Sequence, residues 1–238
     1  MVVMSRLIAS LGLALLVAAC QSSGAVDNPI ARRLTWFSYV NGDDLRAACR
    51  PGAPDRYRLI YNGVYNEQVR SYDIMVREFA SDAGADMVVR VKEPPRLGVL
   101  RLGAPFAPWE PTVSRVALDG ETFAALVTTL DKGGAFAPAP RGLRLNSGKF
   151  YWVVDACRDG VFTFNAFVYP SPRFAAVDPS ALLARLAPEA PPFNPPRRVD
   201  RAPLPSQCGR PRDASAQCEG LPFIFEVGDN GLLGLASL

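Results

Sequence analysis

The chain has 238 residues, of which 49% are apolar and 21% charged, and its 26 basic side chains, mostly arginine, nearly balance 23 acidic ones. These proportions exclude a fibre, a low-complexity coil and a disordered acidic tail, and the charge is too close to balance to argue nucleic-acid binding. There is no histidine, which removes Ser-His-Asp and Cys-His centres, His-bearing zinc sites and a histidine general base.

Arg6 precedes an apolar run over residues 7–17, broken only by Ser10 and Gly12. At about eleven residues the run falls short of the roughly twenty that cross a bilayer as a helix, so it reads as a secretory signal that is removed. It ends in Val17-Ala18-Ala19-Cys20, which resembles the lipobox of bacterial lipoproteins. The resemblance covers only the first twenty or so residues. It implies cleavage before Cys20, a diacylglycerol on the Cys20 thiol and acylation of the new amine. Two or three acyl chains, at about 0.8 kcal/mol per buried methylene, give an effectively permanent membrane anchor. Family members with aspartate after the cysteine tend to stay in the inner membrane; Gln21 stands there, which implies the outer membrane, facing the periplasm. An ordinary cleavage site followed by a structural Cys20 is the alternative. The division is then a signal peptide (1–19), a lipidated N-terminus and tether (20–30), an α+β domain (31–187) and a Pro/Arg-rich extension (188–238).

Alternation is commoner than helical period along the mature chain. Residues 33–40 read as a strand, Asn41-Gly42-Asp43 as a turn and N-cap, and a short helix runs through Ala48 and ends at Cys49. Residues 56–61 alternate, Asn62-Gly63 marks a type I′ hairpin turn, and a second strand opens at Val64. Residues 81–84 end that strand. Further strands are expected over 87–91, 97–102 and 112–118, with an irregular stretch over 105–111. Asp119 then caps a helix whose Phe123, Leu126, Val127 and Leu130 share one face, with Glu121 in its first turn and Lys132-Gly133-Gly134 at its stop.

The densest apolar segment, 149–169, reads as a hairpin about Arg158-Asp159-Gly160 and as the centre of the sheet. Phe150, Trp152, Val154 and Ala156 share one face of its first strand; Phe162, Phe164, Ala166 and Val168 share one face of its second. Asp178-Pro179-Ser180 caps a short helix through Leu186. From 188 to 222 the chain is proline-rich and reads as an extended, wrapping segment. Residues 223–227 and 231–235 turn apolar, as expected of a tail that docks back. The sum is an α+β domain, a mainly antiparallel sheet with one or two helices on one face. A small barrel is the alternative.

In the oxidising periplasm implied by the lipobox, the four cysteines after Cys20 pair into two disulfides. Cys208 with Cys218 across a short loop is preferred, leaving Cys49 with Cys157. No Cys-x-x-Cys spacing occurs, and neither a metal nor a cofactor is expected.

Without histidine, hydrolytic chemistry would need a carboxylate pair about 5–10 Å apart, as in glycoside cleavage. The candidates are Asp155, Asp159, Asp43, Asp44 and Glu121. Asp43 and Glu121 suit helix starts and Asp159 a turn; Asp155, inside an apolar strand, asks for a partner such as Arg158. Ser147-Gly148-Lys149 lacks the Ser-x-x-Lys spacing, and Gly228-Asp229-Asn230-Gly231 lacks the downstream ligands of a calcium loop. No catalytic, cofactor-binding or metal residue is therefore assigned. Two readings follow. One is a non-catalytic interaction or assembly factor held to the membrane by lipid on Cys20, contacting an envelope protein or an anionic polymer through its sheet edge, its extension or Tyr57, Tyr61, Tyr65 and Tyr72. The other is a carboxylate-dependent enzyme acting on envelope glycan.

Overall fold

The computed structural model describes residues 35–77, 83–94, 110–199 and 223–235. Cys20, Cys208, Cys218 and the strand expected over 97–102 lie outside them. Two short helices, α1 (Phe37–Val40) and α2 (Asp43–Ala48), precede an antiparallel meander of β1 (Arg56–Gly63), β2 (Val69–Val76), β3 (Ala85–Lys92) and β4 (Thr112–Leu118). Helix α3 (Gly120–Lys132) leads to a short strand β5 (Arg144–Asn146) and the hairpin of β6 (Phe150–Arg158) and β7 (Val161–Val168). Helices α4 (Pro172–Val177) and α5 (Ser180–Leu186) follow, and β8 (Ile224–Val227) with β9 (Leu232–Leu235) close the described chain.

The main sheet has the order β4-β3-β2-β1-β6-β7, all neighbours antiparallel, so the fold is α+β with an open sheet rather than a barrel. Its first face carries Leu59, Tyr72, Val89 and Trp152, packed against Leu126 and Leu130 of α3, Phe174 and Val177 of α4 and Leu183 of α5. Each such side chain contributes about 1.5–3 kcal/mol by leaving water, so packing rather than propensity holds these short helices. The second face carries Ile60, Val69, Tyr151, Val153 and Phe164, covered by Trp36, Tyr39 and Val40 and by the β5-β8-β9 sheet.

Burial on both faces explains the composition of the central strands. Every residue of β6 from Phe150 to Cys157 is buried, whereas β3, nearer the edge, alternates buried with exposed or half-exposed. The antiparallel pairing also separates the two sides of the β6-β7 hairpin. Trp152 and Val154 face Phe167 and Asn165 on the first side, and Asp155 and Cys157 face Phe164 and Phe162 on the second. Its turn has both Asp159 (φ 50°) and Gly160 (φ 76°) in the left-handed region, as a two-residue type I′ loop requires.

Two local expectations are corrected. The described part of 33–40 is helical rather than a strand, because Trp36, Tyr39 and Val40, at i, i+3 and i+4, all enter the second core. The first hairpin exists, but Asn62 and Gly63 belong to β1 and the second strand opens at Val69; the loop is 64–68, with Val64 at φ 63° and Gly63 N donating to Gln68 O at 2.8 Å. Asn62 cannot reach a turn tip because its buried amide donates to the carbonyls of Ser147 (2.9 Å) and Lys149 (2.5 Å).

Past α5 the chain leaves regular structure. Residues 191–199 have neither helix nor strand, and Ala190, Phe193 and Val199 pack on the first core.

Candidate functional site

The densest charged cluster lies where α1 and α2 cover the second face. Arg58 on β1 is only 4% exposed. Its guanidinium is bidentate to Asp44 of α2 (2.7 and 2.8 Å), donates to Asp73 of β2 at 2.6 Å and to the Tyr39 carbonyl at 3.1 Å, and lies 3.8 Å over the Tyr39 ring. Asp73 also accepts from Tyr39 Oη (2.8 Å) and from Arg90 (2.5 Å). Strand pairing brings Arg58 and Asp73 opposite each other, and both are on the side where α2 presents Asp44.

Burial alone would lower the Arg58 pKa, and its bonds to Asp44 with the charges of Tyr39, Asp73 and Asp44 reverse that, so it stays a cation. For Asp44, burial pushes the carboxyl up, and the hydrogen bonds and charge of Arg58 more than undo it, leaving the acid below its usual range. With Arg90, which also pairs with Asp73, these side chains form a charge-balanced clamp between helix and sheet.

Asp155 is the cross-strand neighbour of Arg58 yet takes no part in the clamp. It is 0% exposed, and neither carboxylate oxygen has a hydrogen-bond partner. Helix α2 closes directly on it. Gly42, the α2 N-cap, has φ 64°, and a Cβ there would sit 2.8 Å from Asp155 Cγ and 2.9 Å from the Phe162 ring. Only glycine satisfies both the backbone conformation and the space. Burial pushes the Asp155 carboxyl well above its ordinary range; the pull of Arg58 and Arg46 is opposed by Asp44 and Asp73. Burial thus favours the protonated acid, and the carboxyl is sealed from solvent.

Arg158 is not its partner. Positions 155 and 158 have opposite parity on one strand and point to opposite faces; Arg158 lies 4.3 Å over the Phe136 ring on the first side and 3.9 Å from Asp131. The remaining nominated acids stand at helix starts and in a turn. Asp43, in the first turn of α2, accepts from the Asn41 amide at 2.7 Å. Asp159 occupies the β6-β7 turn, its N–H donating to Asp55 at 2.8 Å. Glu121 lies in the first turn of α3, whose N-cap Asp119 accepts from Thr122 N at 2.7 Å.

Ser147-Gly148-Lys149 is the turn between β5 and β6, and Ser147 Oγ accepts from Phe223 N at 2.9 Å, tying in the β8 segment. The Asn230 side chain accepts from Phe164 N (2.7 Å) and donates to Phe162 O (3.0 Å), covering part of the β7 edge. Among the described residues no group of three or more His, Cys, Asp or Glu could hold a metal.

Cys49, at the end of α2, and Cys157, on β6, form a disulfide that staples the helical cover beside Asp155. Tyr57, Tyr61, Tyr65 and Tyr72 are corrected from candidate contact residues to core. Their exposures are 4, 1, 6 and 0%, because helices and the segment carrying Phe193 cover Tyr57, Tyr61 and Tyr72 on the first face, and Tyr65 enters the second core. Burial is the first cause that pushes the Tyr57 and Tyr72 hydroxyls up to about 12.

Sequence reasoning missed the clamp itself. Its only signal was the charged residues set within otherwise apolar runs, Arg56 and Arg58 on β1 and Arg70 and Asp73 on β2. No protein-family model matches the chain, and no curated protein or solved structure matches it.

Proposed function

We propose that the chain is a non-catalytic interaction or assembly factor, anchored by lipid on Cys20 at the periplasmic face of the outer membrane. The observation that supports it is the fate of the acids. A glycan-cleaving enzyme needs an acid and a second carboxylate that both reach the scissile bond. Asp155 is sealed beneath Gly42 and Phe162, and Asp44 and Asp73 neutralise a structural arginine. Asp43, Asp159 and Glu121 stand at helix starts and a turn. The anchor rests on the lipobox at Cys20, since no helix among the described residues is long and apolar enough to cross a membrane.

The competing reading, a carboxylate-dependent glycan enzyme, is tested by incubating the purified full chain with isolated cell-wall glycan and measuring newly released soluble reducing ends. Release no greater than that of the heat-unfolded protein is expected. Release that Asp155→Asn abolishes while the variant remains folded would replace the proposal.

A further inference from the structure

We infer that the groove over β1, β2 and β6 in which residues 191–194 lie is a binding site for an extended, proline-flanked peptide carrying an aromatic side chain, occupied in cis by the chain's own segment. The segment is held chiefly by its main chain. Arg70 donates to Pro191 O (2.5 Å), Gln68 Nε2 to Pro192 O (2.8 Å) and Tyr61 Oη to Asn194 O (2.7 Å), while Asn194 N donates to Gln68 Oε1 (2.9 Å). Such contacts recognise extended backbone and leave much of the side-chain sequence free.

Selectivity comes from one pocket. The Phe193 ring lies 5.4, 6.5 and 6.2 Å from the rings of Tyr61, Tyr72 and Trp152, with the Arg70 guanidinium 3.9 Å from its centroid. The Asn194 amide adds bonds to Gly63 O and Glu67, both at 2.7 Å. An aromatic-lined groove with donors aimed at peptide carbonyls is how proline-rich segments are recognised between chains, because their preformed extended backbone loses little entropy on binding.

Arg70 recognises the backbone and the aromatic side chain together. It is 1% exposed, yet among the described residues its guanidinium has no carboxylate partner. Only Tyr72 Oη (2.9 Å), Gln68 Oε1 (3.5 Å), Pro191 O and the Phe193 ring meet it. Its donors therefore serve the carbonyl and the ring of the peptide that lies in the groove. Pro192 and Pro195 remain exposed on its outer side.

The inference rests on the non-catalytic reading and gives its partner a chemistry. Its failure would remove this groove as the docking site and leave the in-cell partner capture described below unaffected. The test is titration of a labelled peptide copying residues 188–199 onto the full mature chain, by fluorescence anisotropy. In the wild type the tethered segment competes at an effective concentration on the order of millimolar; Phe193→Ala weakens that competitor. Apparent affinity at least tenfold tighter for Phe193→Ala than for wild type is expected, lost again when Arg70→Gln is added. Equal binding to wild type and variant, or tight binding indifferent to Arg70→Gln, would overturn the site. Should Phe193→Ala not fold, Asn194→Ala, which removes the bonds to Gly63 O and Glu67, replaces it in the same titration with the same two outcomes.

Discussion

Replacing Asp155 with asparagine keeps the shape of a buried side chain and removes its ability to ionise. In the native protein the carboxyl is 0% exposed without a hydrogen bond, and burial raises its pKa well above the ordinary range. In the unfolded chain it titrates near 3.9. Below that pH both states carry the proton and the group contributes no pH dependence. As pH rises through and beyond it, the unfolded chain releases the proton and the folded protein does not, so wild-type stability falls. The loss is about 1.4 kcal/mol per pH unit until the native carboxyl itself ionises. Asp44 acts with the opposite sign, its depressed pKa stabilising the fold above the unfolded value and losing that effect as pH falls. It is present in both proteins and cancels in their difference. Thermal unfolding of wild type and Asp155→Asn between pH 4 and 7 should therefore give Tm curves that diverge as pH rises. The variant should gain roughly 3–6 °C per unit over the first part of the range. Parallel curves would mean that the native carboxylate is ionised and paired, and would refute a sealed, neutral Asp155.

Removing Cys49–Cys157 by a Cys49→Ala/Cys157→Ala double substitution should cost about 4–5 kcal/mol, the loop-closure value for a link spanning 108 residues, read as a drop in urea midpoint without reductant; an unchanged midpoint would show that the staple is dispensable. Arg58→Met should destabilise by about 3 kcal/mol in the same assay. This is the low end for breaking a buried pair, because Asp44 and Asp73 still reach water, and a loss below about 1 kcal/mol would contradict the clamp. Cys20→Ala should leave the outer-membrane fraction and appear in the soluble periplasmic one; continued membrane fractionation would remove lipid on Cys20 as the anchor.

Features with local causes were legible in the chain. Strand β4 and helix α3 fall where alternation, the Asp119 cap and the Leu126/Leu130 spacing put them. The β6-β7 hairpin turns at Asp159-Gly160 because that dipeptide tolerates positive φ. Errors arose where distant segments decide. Asn62-Gly63 has a strong turn preference, overridden by bonds from Asn62 to residues 85 and 87 positions away. The stretch from Trp36 to Val40 combines β-forming residues with an i, i+3, i+4 pattern too short to choose between strand and helix, and its docking on the second core selects helix. The tyrosines gave no local sign of their cover: Tyr57, Tyr61 and Tyr72 lie on the first face beneath helices and residues 190–199, and Tyr65 in the second core, all covered by segments distant in sequence. For Asp155, strand parity already excluded Arg158; that Arg58 would be taken by Asp44 depended on how α2 docks.

The claim that the protein acts by contact rather than by catalysis is met most directly by photo-crosslinking the acylated protein in living cells, with mass-spectrometric identification of the products. A discrete envelope protein joined to the wild type, and lost from Cys20→Ala, is the predicted result. Adducts with membrane lipid alone would contradict it.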